Sequence, residues 1–151
     1  VPGRDRDILE AAHDLLAATG EFDGVYLTGL PEEKGRPSGH RNACALAVLD
    51  WDDTSFAEDQ SQTAITRKVR WAVTLMARRE DPDARDRELD RLAQVAMNTL
   101  DGVSLAGLTF PAQTKLKKGR YEKPAPPERR LTVTGEFAYL VTGYGGHATD
   151  G

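Results

Sequence analysis

The chain has 151 residues, 39% of them hydrophobic and 29% charged, with a formal net charge of -4. A chain this long buries roughly 70% of its unfolded surface, so a single domain over residues 1–151 with an unstapled core is expected. The single cysteine excludes an internal disulfide, and the mild acidity argues against a dedicated nucleic-acid binder.

The polar opening, Val1-Pro2-Gly3-Arg4-Asp5-Arg6-Asp7, does not read as a signal peptide, and no apolar run approaches the ~20 residues of a membrane span. Folding in the cytoplasm, away from any membrane, is expected. The first helix is predicted over residues 7–19. Asp7 serves as N-cap with Glu10 as its capping-box partner, Ile8, Ala12, Leu15, Leu16 and Thr19 share one face, and Gly20 ends it. Phe22 should fold back onto it. A short strand follows within 24–30, centred on Val25-Tyr26-Leu27. Residues 31–41 hold two prolines, two glycines and five charges, and read as a loop.

Residues 43–51 are apolar at both parities, as in a strand covered on both faces, and Cys44 within it reads as a small buried hydrophobe. An acidic loop at 50–59 comes next. Residues 65–77 carry the clearest alternation in the chain. Ile65, Val69, Trp71, Val73 and Leu75 share one parity, and Thr66, Lys68, Arg70 and Thr74 the other. At ~3.3 Å per residue such a strand spans roughly 43 Å, about the diameter of a compact domain of this size. It is expected to cross the domain or protrude and to finish its hydrogen bonding on a neighbouring subunit.

The second helix is capped by Asp81, with Pro82 at its first position and Asp83 complementing the dipole. Leu89, Leu92, Ala93, Ala96, Met97 and Leu100 form its apolar stripe, and Gly102 closes it. A strand at 110–118 around Pro111 suggests an edge position, and 131–142 alternates as a final strand. Between them, residues 119–130 hold three prolines and many charges and read as an extended, semi-rigid arm. The tail, 143–151, is Gly-rich. The fold expected is α+β in the order α-β-β-β-α-β-β: a largely antiparallel or mixed sheet, both helices on one face, with a long protruding strand or hairpin arm.

Charge is unevenly spread. Residues 115–130 carry seven basic side chains (Lys115, Lys117, Lys118, Arg120, Lys123, Arg129, Arg130) against Glu122 and Glu128, whereas 50–59 carries five acidic and no basic ones. Such segments attract copies of the chain, orient a partner, or are two solvated loops.

The three histidines lack metal spacing. Asp50-x-Asp52-Asp53 lacks the glycine and bidentate glutamate of a calcium loop, and no serine sits in a nucleophile elbow. Gly143-Tyr144-Gly145-Gly146 opens no helix and makes a poor phosphate cradle. No catalytic, metal or cofactor site is expected. The basic arm has one aromatic, Tyr121, where single-strand nucleic-acid binders interleave several.

Several features together are similar to the tail terminator (tail completion) proteins of long-tailed bacteriophages. They are the helix over 7–20 running into Phe22-x-Gly24-Val25-Tyr26, the apolar strand at 44–49, the Arg/Thr-rich strand ending Val69-Arg70-Trp71-Ala72-Val73-Thr74-Leu75-Met76-Ala77-Arg78, the amphipathic helix after it, and the closing strand at 131–141. The resemblance implies a mixed sheet with helices on one side and a virion protein forming a homohexameric ring that caps the tail tube. It implies as partners the major tail tube protein and a head-completion or stopper protein, with DNA passing through the lumen unread, no cofactor and no chemistry. Lys68, Arg70, Lys115, Lys117, Lys118, Arg120, Arg129 and Arg130 are the candidate assembly or lumen contacts. Another neck or head-closure ring subunit, and a small single-strand nucleic-acid-binding protein using the basic arm, are the alternatives.

Overall fold

A computed structural model describes residues 4–30, 40–56 and 65–141. The expected loop at 31–41 (apart from its last two residues), the end of the acidic stretch and the tail lie outside the described residues.

Among the described residues two helices and five strands follow in the expected order: α1 (Asp5–Ala18), β1 (Gly24–Leu27), β2 (Asn42–Phe56), β3 (Ile65–Arg78), α2 (Pro82–Leu100), β4 (Lys115–Tyr121) and β5 (Glu128–Val141). They build one mixed sheet in the order β1-β2-β3-β5-β4. β1 runs parallel to β2, and every other neighbouring pair is antiparallel.

Both helices pack on one face of this sheet. Ile8, Leu9, Ala12 and Leu16 of α1 and Leu89, Leu92, Ala96 and Leu100 of α2 bury against Val69, Trp71, Val73 and Leu75 of β3 and Leu131, Val133, Phe137 and Tyr139 of β5. At its centre Trp71 meets Phe137 edge to face, with ring centroids 5.2 Å apart. Cys44 is fully buried here, and burial pushes its thiol up to about 12.

Gly135 stands opposite Trp71 in the β3–β5 register. A Cβ there would sit 1.9 Å from the Lys115 carbonyl oxygen and 2.6 Å from Leu116 Cα. Only glycine lets β4 pass this close, and the approach brings the Lys115 carbonyl to within 3.3 Å of the Trp71 indole N–H that donates to it. A β-bulge between Leu116 and Lys118 lies beside the same contact.

Several expectations are corrected. β3 is the central strand: all its residues pair with β5, and β2 pairs along its other side. Its hydrogen bonding is completed inside the subunit, so its length makes it the spine of the sheet and not an edge seeking a neighbour. α1 begins at Asp5 with Arg4 as an N-cap that makes no side-chain cap. The Tyr139 hydroxyl holds that end instead, accepting from the Arg4 N–H (2.8 Å) and donating to Asp5 (2.5 Å). Asp7 and Glu10 pair with Arg4 and Arg6 in place of a capping box, and Leu9 takes the core position expected of Leu15, which is 41% exposed.

β1 stops at Leu27. β2 continues to Phe56, so much of the expected acidic loop is strand. Of the expected two-faced burial over 43–51, residues 43–46 are buried at both parities and Leu49 is 55% exposed at a register shift. Pro111 opens a single 3-10 turn, Pro111–Gln113, and β4 starts only at Lys115, as an edge strand. The expected arm is mostly sheet: β4 and β5 form a hairpin, and only residues 122–127 turn at its tip. There Ala125 and Glu128 exchange both backbone hydrogen bonds across a cis Pro126–Pro127 bond. A tight turn thus replaces the extended linker, because the flanking residues have strand partners.

Candidate interaction face

Strand alternation sends every second side chain to the face that carries no helix. On β3 these are Thr66, Lys68, Arg70, Ala72, Thr74, Met76 and Arg78. On β5, by register, they are Glu128, Arg130, Thr132, Thr134, Glu136, Ala138 and Leu140. β4 adds Lys115, Lys118 and Arg120, opposite Glu136, Thr134 and Thr132. The structure therefore brings together seven of the eight candidate residues: Lys68, Arg70, Lys115, Lys117, Lys118, Arg120 and Arg130.

Arg129 is the exception. The odd positions of β5 face the helices, so its guanidinium reaches Asp86 of α2 at 3.1 Å, donates to the Glu122 carbonyl and lies 4.7 Å over the Tyr121 ring. It ties the hairpin to α2 and does not join the basic face.

The face carries partners that sequence reasoning missed. Lys117 bonds Glu136 at 2.5 Å, Arg78 and Arg130 both hold Glu128 (3.1 and 2.9 Å), and the Thr74 and Thr132 hydroxyls meet at 3.2 Å. Glu136 is held below the usual carboxylate range, first by the Lys117 hydrogen bond and then, against the opposing effect of burial, by the charges of Lys117, Lys68 and Lys115. The β2–β3 register sets Asp50 opposite Arg70 and Asp52 opposite Lys68. Period-2 numbering of 128–141 was the signal that separates Arg129 from Arg130. The cross-strand partners depend on register and had no local signal.

Two adjoining open hollows follow this face. One, of about 730 Å³, is lined by Lys118, Gly119, Arg120, Tyr121, Glu122, Lys123, Thr132 and Thr134. The other, about 360 Å³, crosses the sheet from Leu49 through Arg70 to Lys117, Lys118, Thr134, Gly135 and Glu136. Lysine, arginine and threonine above a strand floor supply cations and hydroxyls for an anionic surface. Among the described residues no group of three His, Cys, Asp or Glu gathers as a metal site would require.

A second charged cluster lies where α2 meets the starts of β2 and β1. Glu88 accepts from Arg91 and Asn42, Arg79 approaches it to 3.3 Å, and Arg91 reaches on to Glu21. The Arg91 hydrogen bond is the chief cause holding Glu88 below its ordinary value. Asp23 accepts the N–H groups of Arg41 and Asn42. Burial raises its pKa, but these bonds and the charges of His40 and Arg79 outweigh burial and leave it lowered. This cluster fastens elements to one another and presents no open group for chemistry.

No family model matches the chain, and a comparison with curated proteins gives no match. Among solved structures, a chain from the virion of a native gene transfer agent particle has a similar fold. It is 11% identical, with a TM-score of 0.50 over 90% of this chain and 91% of that one. A second solved chain is 10% identical with a TM-score of 0.51, over 91% of this chain and 96% of its own length. At these identities the likeness is one of fold, and it extends over nearly the whole of each chain.

Proposed function

We propose that the chain is a structural subunit of a phage-like virion, and within it a ring-forming tail terminator that caps the tail tube and joins it to the head-completion proteins. The observation that carries this reading is the fold shared, nearly end to end, with a chain of a gene transfer agent virion. The sheet supports it in two ways. The central strand is satisfied internally, so the subunit folds before it assembles, and both sheet edges are left for contacts. The basic, threonine-lined face offers non-specific contacts to phosphates, as a lumen passing DNA requires. In this reading the protein works in the virion neck after assembly in the bacterial cytoplasm, performs no chemistry and needs no cofactor. Its partners are copies of itself, the major tail tube protein and a stopper protein.

The test is incubation of the purified chain with purified tail tubes, followed by electron microscopy of tube ends and mass photometry. Rings of discrete stoichiometry at tube ends support the reading, and bare tube ends with a monomeric chain contradict it. A head-closure ring is served by the same fold likeness, and binding to connector particles in preference to tubes would select it.

The basic face favours one further reading, a single-strand nucleic-acid binder. The hairpin's one aromatic, Tyr121, stands opposite Leu131 on the helix side of the sheet with Arg129 over its ring, which leaves little surface for base stacking beside the basic face. A salt-dependent shift on a fluorescent oligonucleotide, abolished by neutralising Lys115, Lys117, Lys118 and Arg120, would favour that reading.

A further inference from the structure

Every sheet of this kind ends in two edges, and here they differ in charge. One edge is β4, whose seven residues include Lys115, Lys117, Lys118 and Arg120. The Leu116 N–H is taken by Asp101 at 2.7 Å, so the open part begins after it. The Glu122 N–H donates to the Arg130 carbonyl. Antiparallel alternation then turns the backbone groups of Gly119 and Tyr121 outward. No described residue bonds them. On the other edge β1 covers β2 only from Ala43 to Leu46, and Thr28 adds a last bond to the Leu46 carbonyl. Beyond that, residues 47–56 run on as strand with no described backbone on their outer side. That stretch is longer than β4 and carries Asp50, Asp52 and Asp53 with no lysine or arginine.

Lysines on an edge strand ordinarily guard it against pairing. Here the guards are of one sign on each edge, so they exclude some pairings and admit another. Two β4 strands side by side would oppose four basic residues with four. β4 beside β2 of another copy opposes basic with acidic. Lys68 and Arg70 already stand opposite Asp52 and Asp50 on the inner side of β2, so repulsion between two β4 strands discriminates more than attraction between β4 and β2.

We infer that β4 of one copy adds to the 47–56 stretch of β2 in the next, continuing the sheet from subunit to subunit in a head-to-tail contact. The inference deepens the ring reading above and rests on it for closure, because a heterologous contact gives either a ring or an open filament. Rotation about an axis near the strand direction preserves strand sense. β4 is antiparallel to β5, and β5 is parallel in sense to β2 through β3, so the new pair is antiparallel. The level of the edges fits closure as well. The middle of β4, Lys118, lies level with Thr134, Ala72 and Ala47. The open stretch is centred some four or five residues further along, roughly 15 Å. Across the four strands β2-β3-β5-β4 that such a contact repeats, roughly 19 Å, that stagger tilts the strands by about 38°, within the ~35–45° of closed barrels.

Cysteine cross-linking tests this. The native thiol, Cys44, is buried and gives no background. Lys118→Cys is combined in turn with Asp50→Cys, Asp52→Cys and Asp53→Cys in the full chain, oxidised at high concentration with and without tail tubes, and run on non-reducing gels beside mass photometry. β3 and β5 separate these positions within one chain by about three strand spacings, roughly 14 Å, beyond the ~7 Å reach of a disulfide. Any bond formed is therefore between copies. Lys118→Cys with Gln94→Cys on α2 is the control.

A ladder of multimers from at least one β2 pairing, at least fivefold stronger than the control, is expected. Rings without such a ladder overturn the edge contact and leave the ring reading standing. A ladder on open chains with no closed species keeps the edge contact and refutes the ring. Monomers without cross-links, with and without tubes, overturn both.

Discussion

Replacing Gly135 by alanine places a methyl group 1.9 Å from a backbone oxygen and 2.6 Å from a backbone carbon. Ordinary contact needs about 3.4 Å or more, so β4 must move away from β5 by roughly 1.5 Å. Neither offending atom belongs to a side chain that could swing aside. Overpacking of this kind costs about 1–3 kcal/mol. The displacement also breaks the hydrogen bond from Trp71 to the Lys115 carbonyl, worth about 1 kcal/mol. The combined loss is about 2–4 kcal/mol, and each kcal/mol lowers Tm by about 2–4 °C for a chain of this size. Urea unfolding followed by Trp fluorescence measures it. Gly119→Ala is the internal comparison, because its methyl would meet only side-chain ends, Leu131 at 3.3 Å and Val133 at 4.0 Å. It should be neutral or slightly stabilising, since alanine loses less backbone freedom in a strand. A Gly135→Ala variant within about 0.5 kcal/mol of wild type would refute the close approach of β4 and the register assigned to it.

Asp81→Ala removes the acceptor of the Ala84 N–H (3.2 Å) and should cost about 1 kcal/mol in chemical denaturation, with no change in sheet content. Tyr139→Phe deletes the hydroxyl that joins Arg4 to Asp5. About 1–2 kcal/mol of stability should be lost, with hydrogen exchange rising first in the opening turn of α1. Glu88, Asp23 and Glu136 all have depressed folded-state pKa values. Their contribution to stability is present above the ordinary carboxylate range, near 4, and is lost as pH falls through the folded values. Tm should therefore be flat near neutrality and fall on acidification below about pH 4. Glu88→Gln should flatten part of that fall, and a Tm that rose on acidification would contradict the assignment.

The elements most legible in the sequence were those whose burial follows one period. β3 showed its core face through Val69, Trp71, Val73 and Leu75, and α2 declared both its stripe and its Asp81 cap. Periodicity says nothing of strand order. The length of β3 suggested protrusion, whereas pairing on both sides made it the spine. The start of α1 was misread because a distant tyrosine, not a local side chain, holds its free N–H and carboxylate groups. The Pro-rich segment at 119–130 looked like a linker because its composition is that of one. Its ends are strands because Gly119, Arg120 and Tyr121 pair with β5 and because β3 extends far enough to pair with Glu128 and Arg129. Of the candidate site, the basic residues were visible as a charge excess. Their sorting into one face, and the departure of Arg129 to Asp86, follow from alternation and register. Gly135 gave no sign in the sequence, since its need arises only where β4 crosses it.

We propose that the chain is a ring-forming subunit at the end of a phage-like tail. The most direct measurement of this is electron microscopy of purified tail tubes incubated with the purified chain, with the mass of the released complexes determined in parallel. One ring of fixed copy number is expected on one end of each tube. Tubes whose ends remain bare at saturating protein, with the chain monomeric throughout, would contradict it.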